Sequence, residues 1–201
     1  MSLLTGSSGR RAVFLDRDGT INIEKEYLYR PDEFEFVPGA PEGIALLNSA
    51  GFVVVVVTNQ SGIARGYYGE DDVQRLHRHM DECLARAGAR VDAYYYCPHH
   101  PVSGEGTYRI DCSCRKPNPG MLLMAADDLG IDLNRSWMVG DKEADLEAGA
   151  AAGCRVCLVR TGYGAEAAGT AGEDVLVCDN LLLAAREIIT LALPEPVQSE
   201  K

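Results

Sequence analysis

The sequence predicts an α/β fold: a doubly wound, Rossmann-like parallel sheet with helices on both faces. Three observations carry that prediction. After Arg11, short β-branched runs alternate with helical patterns, as parallel strands joined by crossover helices require. Residues 52–58 are valines almost without interruption, which suits a central strand buried on both faces. The 201 residues, 46% of them hydrophobic, are enough for one well-buried core, and no repeat or linker divides them.

The first strand is expected at residues 12–16 and the second at 52–58, too short a run for a buried helix. Gly51 before the second strand reads as the end of a helix that Pro41 opens. Between residues 70 and 88, Val73, Leu76, Met80, Leu84 and Ala87 recur at helical spacing, an apolar stripe to lay on the sheet. Strands follow at 91–96, 136–140 and 155–160, separated by helices starting near Pro119 and Ala144. Asn118 is the expected N-cap of the first of these helices, with Pro119 at its first position. A last amphipathic helix covers 181–193. Residues 1–10 are Ser/Gly-rich and expected to be disordered, 11–193 form the single domain, and 194–201 a flexible tail.

A net charge of −11 argues against nucleic acid and anionic membranes, whose binding rests on Lys and Arg. The longest apolar run, 52–57, is far short of the roughly 20 residues of a membrane span, and no signal segment opens the chain. A cytoplasmic monomer is expected. The seven cysteines are an odd number, and three cluster with histidines, which suits a metal site in a reducing compartment better than disulfides.

Val13-Phe14-Leu15-Asp16-Arg17-Asp18-Gly19-Thr20 places two carboxylates where the first strand ends, at the edge where open α/β sheets bind ligands. An isolated Asp-x-Asp-Gly is equally an ordinary polar turn. The other strand ends change the balance. Thr58-Asn59-Gln60 offers a hydroxyl and two amides to phosphate oxygens. Lys116 can neutralise both a phosphoryl group and Asp16. Gly140-Asp141-Lys142 supplies a further carboxylate, with Asp145 placed to orient it. Hard oxygen donors favour magnesium, with Asp16 and Asp141 as side-chain ligands.

In order, and over roughly 150 residues, these four segments resemble the four motifs of the haloacid dehalogenase superfamily of phosphatases. The resemblance implies magnesium-dependent phosphomonoester hydrolysis through an aspartyl-phosphate. Asp16 would be the nucleophile and Asp18 the general acid and base, its backbone carbonyl also ligating magnesium. Thr58 and Lys116 complete the implied catalytic set.

Cys97-Pro98-His99-His100 and Cys112-Ser113-Cys114 together offer three thiolates and two imidazoles, a donor set suited to closed, structural zinc. Cys97, His99, Cys112 and Cys114 are the expected ligands, with His100 the outer or substrate-facing residue. The metal would fix the loop that delivers Arg115 and Lys116. Cys154 and Cys157, three apart on a strand, point to opposite faces and read as core. His77 and His79 read as solvated surface.

The Cys-x-His and Cys-x-Cys loop, Thr58-Asn59-Gln60-Ser61-Gly62-Ile63-Ala64-Arg65-Gly66, and the lack of an inserted cap domain resemble the D-glycero-D-manno-heptose 1,7-bisphosphate phosphatases. That resemblance implies removal of the 7-phosphate of a small sugar bisphosphate, in lipopolysaccharide-core or related heptose precursor synthesis. Histidinol phosphate phosphatases share the zinc elements and are the alternative. The long loop between Cys97 and Cys112 favours the heptose enzymes, and so does the supply of Arg65, Arg109 and Arg115 for a second anion. Asn59, Gln60, Arg65, Arg115 and Lys142 are the expected substrate-binding residues. Glu24, Glu26, Asp32 and Glu33 read as a solvated face. Two readings from other classes are a sugar phosphotransferase and a zinc-stabilised binding module without catalysis.

Overall fold

The computed structural model describes residues 9–193, apart from Glu105, Thr170 and Glu173. The expectations for residues 1–8 and 194–201 lie outside the described residues. Arg10, assigned by sequence to the leading segment, is held: its N–H donates to the Gly130 carbonyl and its own carbonyl accepts from Asp132.

Strands β1 (Ala12–Leu15), β2 (Val53–Asn59), β3 (Ala93–Cys97), β4 (Trp137–Gly140), β5 (Arg155–Val159) and β6 (Leu176–Cys178) form one sheet in the order β3-β2-β1-β4-β5-β6. Every pairing is parallel. Because side chains alternate along a strand, the sheet feeds two cores. Val13, Leu15, Val54 and Val56 pack with α1 (Ala40–Ser49), α2 (Glu70–Arg86) and α6 (Leu181–Leu191) on one face. Ala12, Phe14, Val53, Val55 and Val57 meet α3 (Gly120–Leu129) and α4 (Glu143–Ala151) on the other. A short α5 (Gly164–Ala167) follows β5. Cys154 and Cys157 divide between the two cores as their spacing requires. Among the described residues, no helix is long and apolar enough to cross a membrane.

Sequence order reverses between β1 and β4, so the loops leaving these neighbouring strands diverge and open a crevice. Asp16 and Asp141 stand on its two sides. Gly19, in the left-handed region at φ +89°, turns the chain there as expected.

Some expectations need correction. β3 starts two residues later than expected and ends one later, so that Cys97 terminates it. β6 was not foreseen; three residues carry no readable period. Asn118 does not cap α3, because its amide donates instead to the Cys112 carbonyl, and Pro119 holds the N-cap position without a side-chain bond. His77 is not solvated: it is buried and stacked on Tyr94 at 4.3 Å, because its position shares the inward stripe of α2 with Val73, Met80 and Leu84.

Candidate active site

Strand ends β1, β2 and β4 converge with the loop before α3 on a cleft of about 560 Å³, lined by Asp16, Asp18, Thr58, Asn59, Arg115, Lys116, Lys142 and Asp145 among others. Lys116 is its electrostatic centre. The buried ammonium donates to Asp16 Oδ1 at 2.9 Å, Asp145 Oδ1 at 2.6 Å and the Val57 carbonyl at 2.8 Å. Burial alone would lower its proton affinity, but Asp145 and Asp16 outweigh this and raise it, so the lysine stays charged. Asn59 positions this residue through its backbone, donating to the Lys116 carbonyl at 3.0 Å and accepting from its N–H at 3.1 Å.

Oxygens of Asp16, Asp141 and Asp145 lie within 4.8 Å of one another. Burial and then Asp145 push Asp16 up to about 6, against the pull of Lys116. Burial and then Asp16 push Asp141 up to about 7. Both oxygens of Asp145 are engaged, Oδ1 by Lys116 and Oδ2 by the Lys142 N–H at 3.0 Å, where it caps α4. Asp141 Oδ2 accepts from the Tyr163 N–H at 2.9 Å, whereas its Oδ1 is buried without a partner. A divalent cation fits here: hard donors, mutual repulsion and one orphaned oxygen all call for positive charge. Gly19 and Gly162 both back directly onto the Asp141 carboxylate, where a Cβ would collide with it.

Asp18 is held from behind. Arg17 donates to Oδ1 through Nε and Nη2 and to Oδ2 through Nη2, at 2.9–3.2 Å. Asn22 Nδ2 donates to Oδ1 at 2.9 Å and Gln60 Nε2 to Oδ2 at 3.1 Å. Arg17 is fully buried and also donates to the Leu28 carbonyl. Its Nη1 lies 3.4 Å from Nε2 of His77, whose proton affinity burial and then Arg17 drive down to about 3. His77 is therefore a neutral neighbour to Arg17.

The second cluster lies on the loop between β3 and α3. Sulfur–sulfur separations among Cys97, Cys112 and Cys114 are 3.2–3.5 Å, and His99 Nδ1 lies 3.4 Å from Cys114 and 3.8 Å from Cys97. A tetrahedral metal with bonds of about 2.3 Å has edges of about 3.7 Å, so the four atoms match a closed site. The loop is anchored on α2 by Tyr108, whose hydroxyl donates to Glu70 beside that of Tyr96 on β3.

Several known proteins share this architecture. Residues 113–184 match the HAD-hydrolase-like family model. The chain is 51% identical over 154 residues to the D-glycero-β-D-manno-heptose-1,7-bisphosphate 7-phosphatase of Pasteurella multocida, covering 76% of this chain and 83% of that one. It is also 51% identical over 153 residues to the enzyme of that name from Escherichia coli K12, covering 75% and 80%. This chain belongs to the haloacid dehalogenase-like phosphatases. The D,D-heptose 1,7-bisphosphate phosphatase of B. bronchiseptica, solved with magnesium and phosphate, superposes with a TM-score of 0.81 at 38% identity over 90% of this chain and 99% of that one.

For this haloacid dehalogenase-like phosphatase, most of the sequence-derived site residues converge on one cleft. Asp16, Asp18, Thr58, Asn59, Arg115, Lys116 and Lys142 line it, and Asp141 adjoins it. Gln60 does not: it is buried behind the cleft, donating to Asp18 and Thr58 Oγ1 and accepting from Tyr68. Its backbone bond to the Cys97 carbonyl turns the side chain inward. Arg65 lies outside the main cleft, against Tyr27 and His100. Glu24 departs from the expected solvated face, since it lines the cleft and accepts from Lys142 at 3.0 Å, whereas Glu26, which also borders the cleft, is exposed as expected. Sequence reasoning missed Arg17 and Tyr163. An arginine between two strand-end aspartates is the available signal for the first, since it must be buried and paired; nothing local announces the second.

Proposed function

We propose that this chain hydrolyses the 7-phosphate of a D-glycero-D-manno-heptose 1,7-bisphosphate through an aspartyl-phosphate. The observation that carries the activity is Asp16 itself, one carboxylate oxygen on Lys116 and the group aimed into a cleft at the β1/β4 switch point. Roughly half-identity to phosphatases of that name supports the substrate.

Asp16 attacks phosphorus in line while the bond to the sugar oxygen breaks, and Asp18 gives its proton to the departing alkoxide. In the second half, Asp18 takes a proton from water, which attacks the phosphorus and releases Asp16. Lys116 offsets the repulsion between the Asp16 carboxylate and the phosphoryl oxygens. Thr58 and Asn59 face the same space as hydrogen-bonding groups, and Arg115 adds positive charge at the leaving-group side. Side chains of Asp16 and Asp141, with the backbone carbonyl of Asp18, would hold magnesium. When bound, magnesium supplies a Lewis acid that neutralises developing phosphoryl charge. Cys97, His99, Cys112 and Cys114 would hold a structural zinc, and the free cysteines suit a reducing, cytoplasmic setting. Glu24 and Glu26 do not by themselves favour the amine of histidinol phosphate, because Lys142 already pairs with Glu24.

The test is phosphate release from heptose 1,7-bisphosphate and from histidinol phosphate, with and without magnesium, by the wild type and Asp16→Asn. Higher kcat/KM for the bisphosphate, lost in Asp16→Asn, is expected. Preference for histidinol phosphate would overturn the substrate, and a fully active Asp16→Asn the mechanism.

A further inference from the structure

Asp18 can exchange a proton with the leaving oxygen only while its carboxylate is aimed there, and most of that aim comes from one side chain. Nε and Nη2 of Arg17 donate to both oxygens of Asp18, and Nη2 donates also to the Leu28 carbonyl. The remaining nitrogen, Nη1, turns away from the carboxylate. Among the described residues its hydrogen-bonding contact is Nε2 of His77, at 3.4 Å. A guanidinium only donates, so Nε2 accepts, and the proton of the neutral imidazole sits on Nδ1. Because the guanidinium is planar and rigid, a partner that fixes Nη1 also fixes the direction of Nε and Nη2.

His77 is the polar exception among the buried residues of α2, whose other members are Val73, Leu76, Met80 and Leu84. Its ring is held in place. It stacks on Tyr94 of β3 at 4.3 Å with 17° between the planes, and the Tyr94 hydroxyl donates to Asp81 Oδ1 at 2.6 Å, one turn further along α2. The kind of acceptor matters as much as its place. A carboxylate here would draw the guanidinium away from Asp18 and offset its charge, and a hydrocarbon would leave a buried N–H unpaired. A neutral imidazole does neither, and burial and then Arg17 keep it uncharged by driving its proton affinity down to about 3.

We propose that His77 is a positioning residue for proton transfer: by accepting from Nη1 it sets the guanidinium of Arg17, and through it the carboxylate of Asp18, against the leaving oxygen. This rests on the reading of Asp18 as general acid and base. Without the acceptor, Nη1 seeks another partner, the rigid guanidinium turns, and the carboxylate bound to it turns as well. The loss is confined to chemistry that needs the proton. A departing alkoxide needs it, whereas 4-nitrophenolate leaves as a stable anion. A side chain that serves Asp18 is therefore felt on an alkyl ester and hardly on the aryl ester, while one that only fills the core is felt on both alike.

The experiment measures kcat/KM of the magnesium-loaded enzyme on heptose 1,7-bisphosphate, an alkyl ester, and on 4-nitrophenyl phosphate. This constant covers the steps up to departure of the leaving group, and the alkyl-to-aryl ratio within one preparation cancels any change in folded fraction. His77→Phe keeps a ring on Tyr94 and removes the acceptor; His77→Gln keeps an acceptor near the place of Nε2 and removes the ring. General acid catalysis contributes about 10²–10⁴-fold and a misdirected carboxylate loses part of it, so His77→Phe is expected to lower the ratio by about tenfold. His77→Gln is expected to recover most of that loss. In an Arg17→Met background, His77→Phe is expected to lower the ratio no further, because the route through the guanidinium is already gone. Asp18→Asn, measured alongside, separates the two readings. If it lowers the ratio while His77→Phe keeps the wild-type value, the inference alone is overturned. Equal losses in His77→Phe and His77→Gln, or a full further loss in the double variant, overturn it too. A wild-type ratio in Asp18→Asn overturns the acid–base reading and the inference with it. Histidinol phosphate, also an alkyl ester, takes the place of the heptose substrate if the wild type prefers it, so an error in the substrate leaves the comparison intact.

Discussion

Arg17 has its guanidinium fully enclosed, and the group survives there because Asp18, the Leu28 carbonyl and His77 surround it. Asp18 in turn takes most of its hydrogen bonds from this one side chain. Arg17→Met is therefore expected to lower kcat far more than it raises KM, by about 10² if Asp18 acts as proton donor and acceptor. It also leaves a buried carboxylate short of partners, at a cost of roughly 3–5 kcal/mol, readable as a lower urea midpoint. Full kcat in this variant would show that Asp18 needs no such support. Asp16, Asp18 and Asp141 were legible in the sequence because each sits at or beside a strand end, where the fold class alone predicts a ligand, and Lys116 because it stands in a Cys-Arg-Lys-Pro run just before a helix. The roles of Arg17, Gln60 and His77 were not, because each is decided partly by a contact with another segment: Arg17 meets His77, Gln60 donates to Asp18, and His77 stacks on Tyr94. Gln60 shows the limit well: its neighbours Thr58 and Asn59 face the cleft, while Tyr68 draws its amide behind it.

The segment joining β3 to α3 does what a longer strand or helix cannot. It leaves the sheet at Cys97, gathers three further metal-type ligands, and returns to bring Lys116 within reach of Asp16. Its return is pinned at two points, by Asn59 on the Lys116 backbone and by Gly120, whose N–H donates to the Ser113 carbonyl. Cys112→Ser is expected to lose bound zinc and to reduce kcat/KM by about 10–100-fold, a range typical of displaced supporting contacts around a site. The far-ultraviolet spectrum of the sheet and helices is expected to persist, since the loop contributes little to either core. Undiminished kcat/KM in zinc-depleted protein would separate the cluster from catalysis. The Cys and His cluster of this loop was readable from donor type and spacing, but its attachment to α2 through Glu70 was not, since two tyrosines and a glutamate form no motif. β6 escaped for a simpler reason: Leu176–Cys178 is three residues long, and only its place beside β5 makes it a strand.

Across the whole molecule, a parallel sheet whose order reverses between β1 and β4 brings carboxylates from separate strand ends into one buried group. The arrangement opposes the stability of the cation-free protein. Asp16 at about 6 and Asp141 at about 7 both stand above the ordinary value of 3.8. The folded chain therefore binds more protons than the unfolded chain between about pH 4 and 7, and its stability falls as pH rises through that window. At about 1.4 kcal/mol per unit, ionising both groups costs the cation-free protein several kcal/mol. A divalent cation competes with those protons, so its stabilising effect runs the opposite way with pH. Chelator-treated protein is expected to gain about 5 °C or more in Tm from saturating magnesium at pH 8, where 1 kcal/mol corresponds to about 2–4 °C in a chain of this size. At pH 5, with both carboxyls largely protonated, the gain is expected to shrink below about 2 °C. Calcium, which takes the same oxygen donors with looser geometry, is expected to reproduce the thermal shift without restoring turnover. Equal gains from magnesium at both pH values would mean that the cation binds elsewhere and that the Asp16–Asp141 pair carries its charge without it.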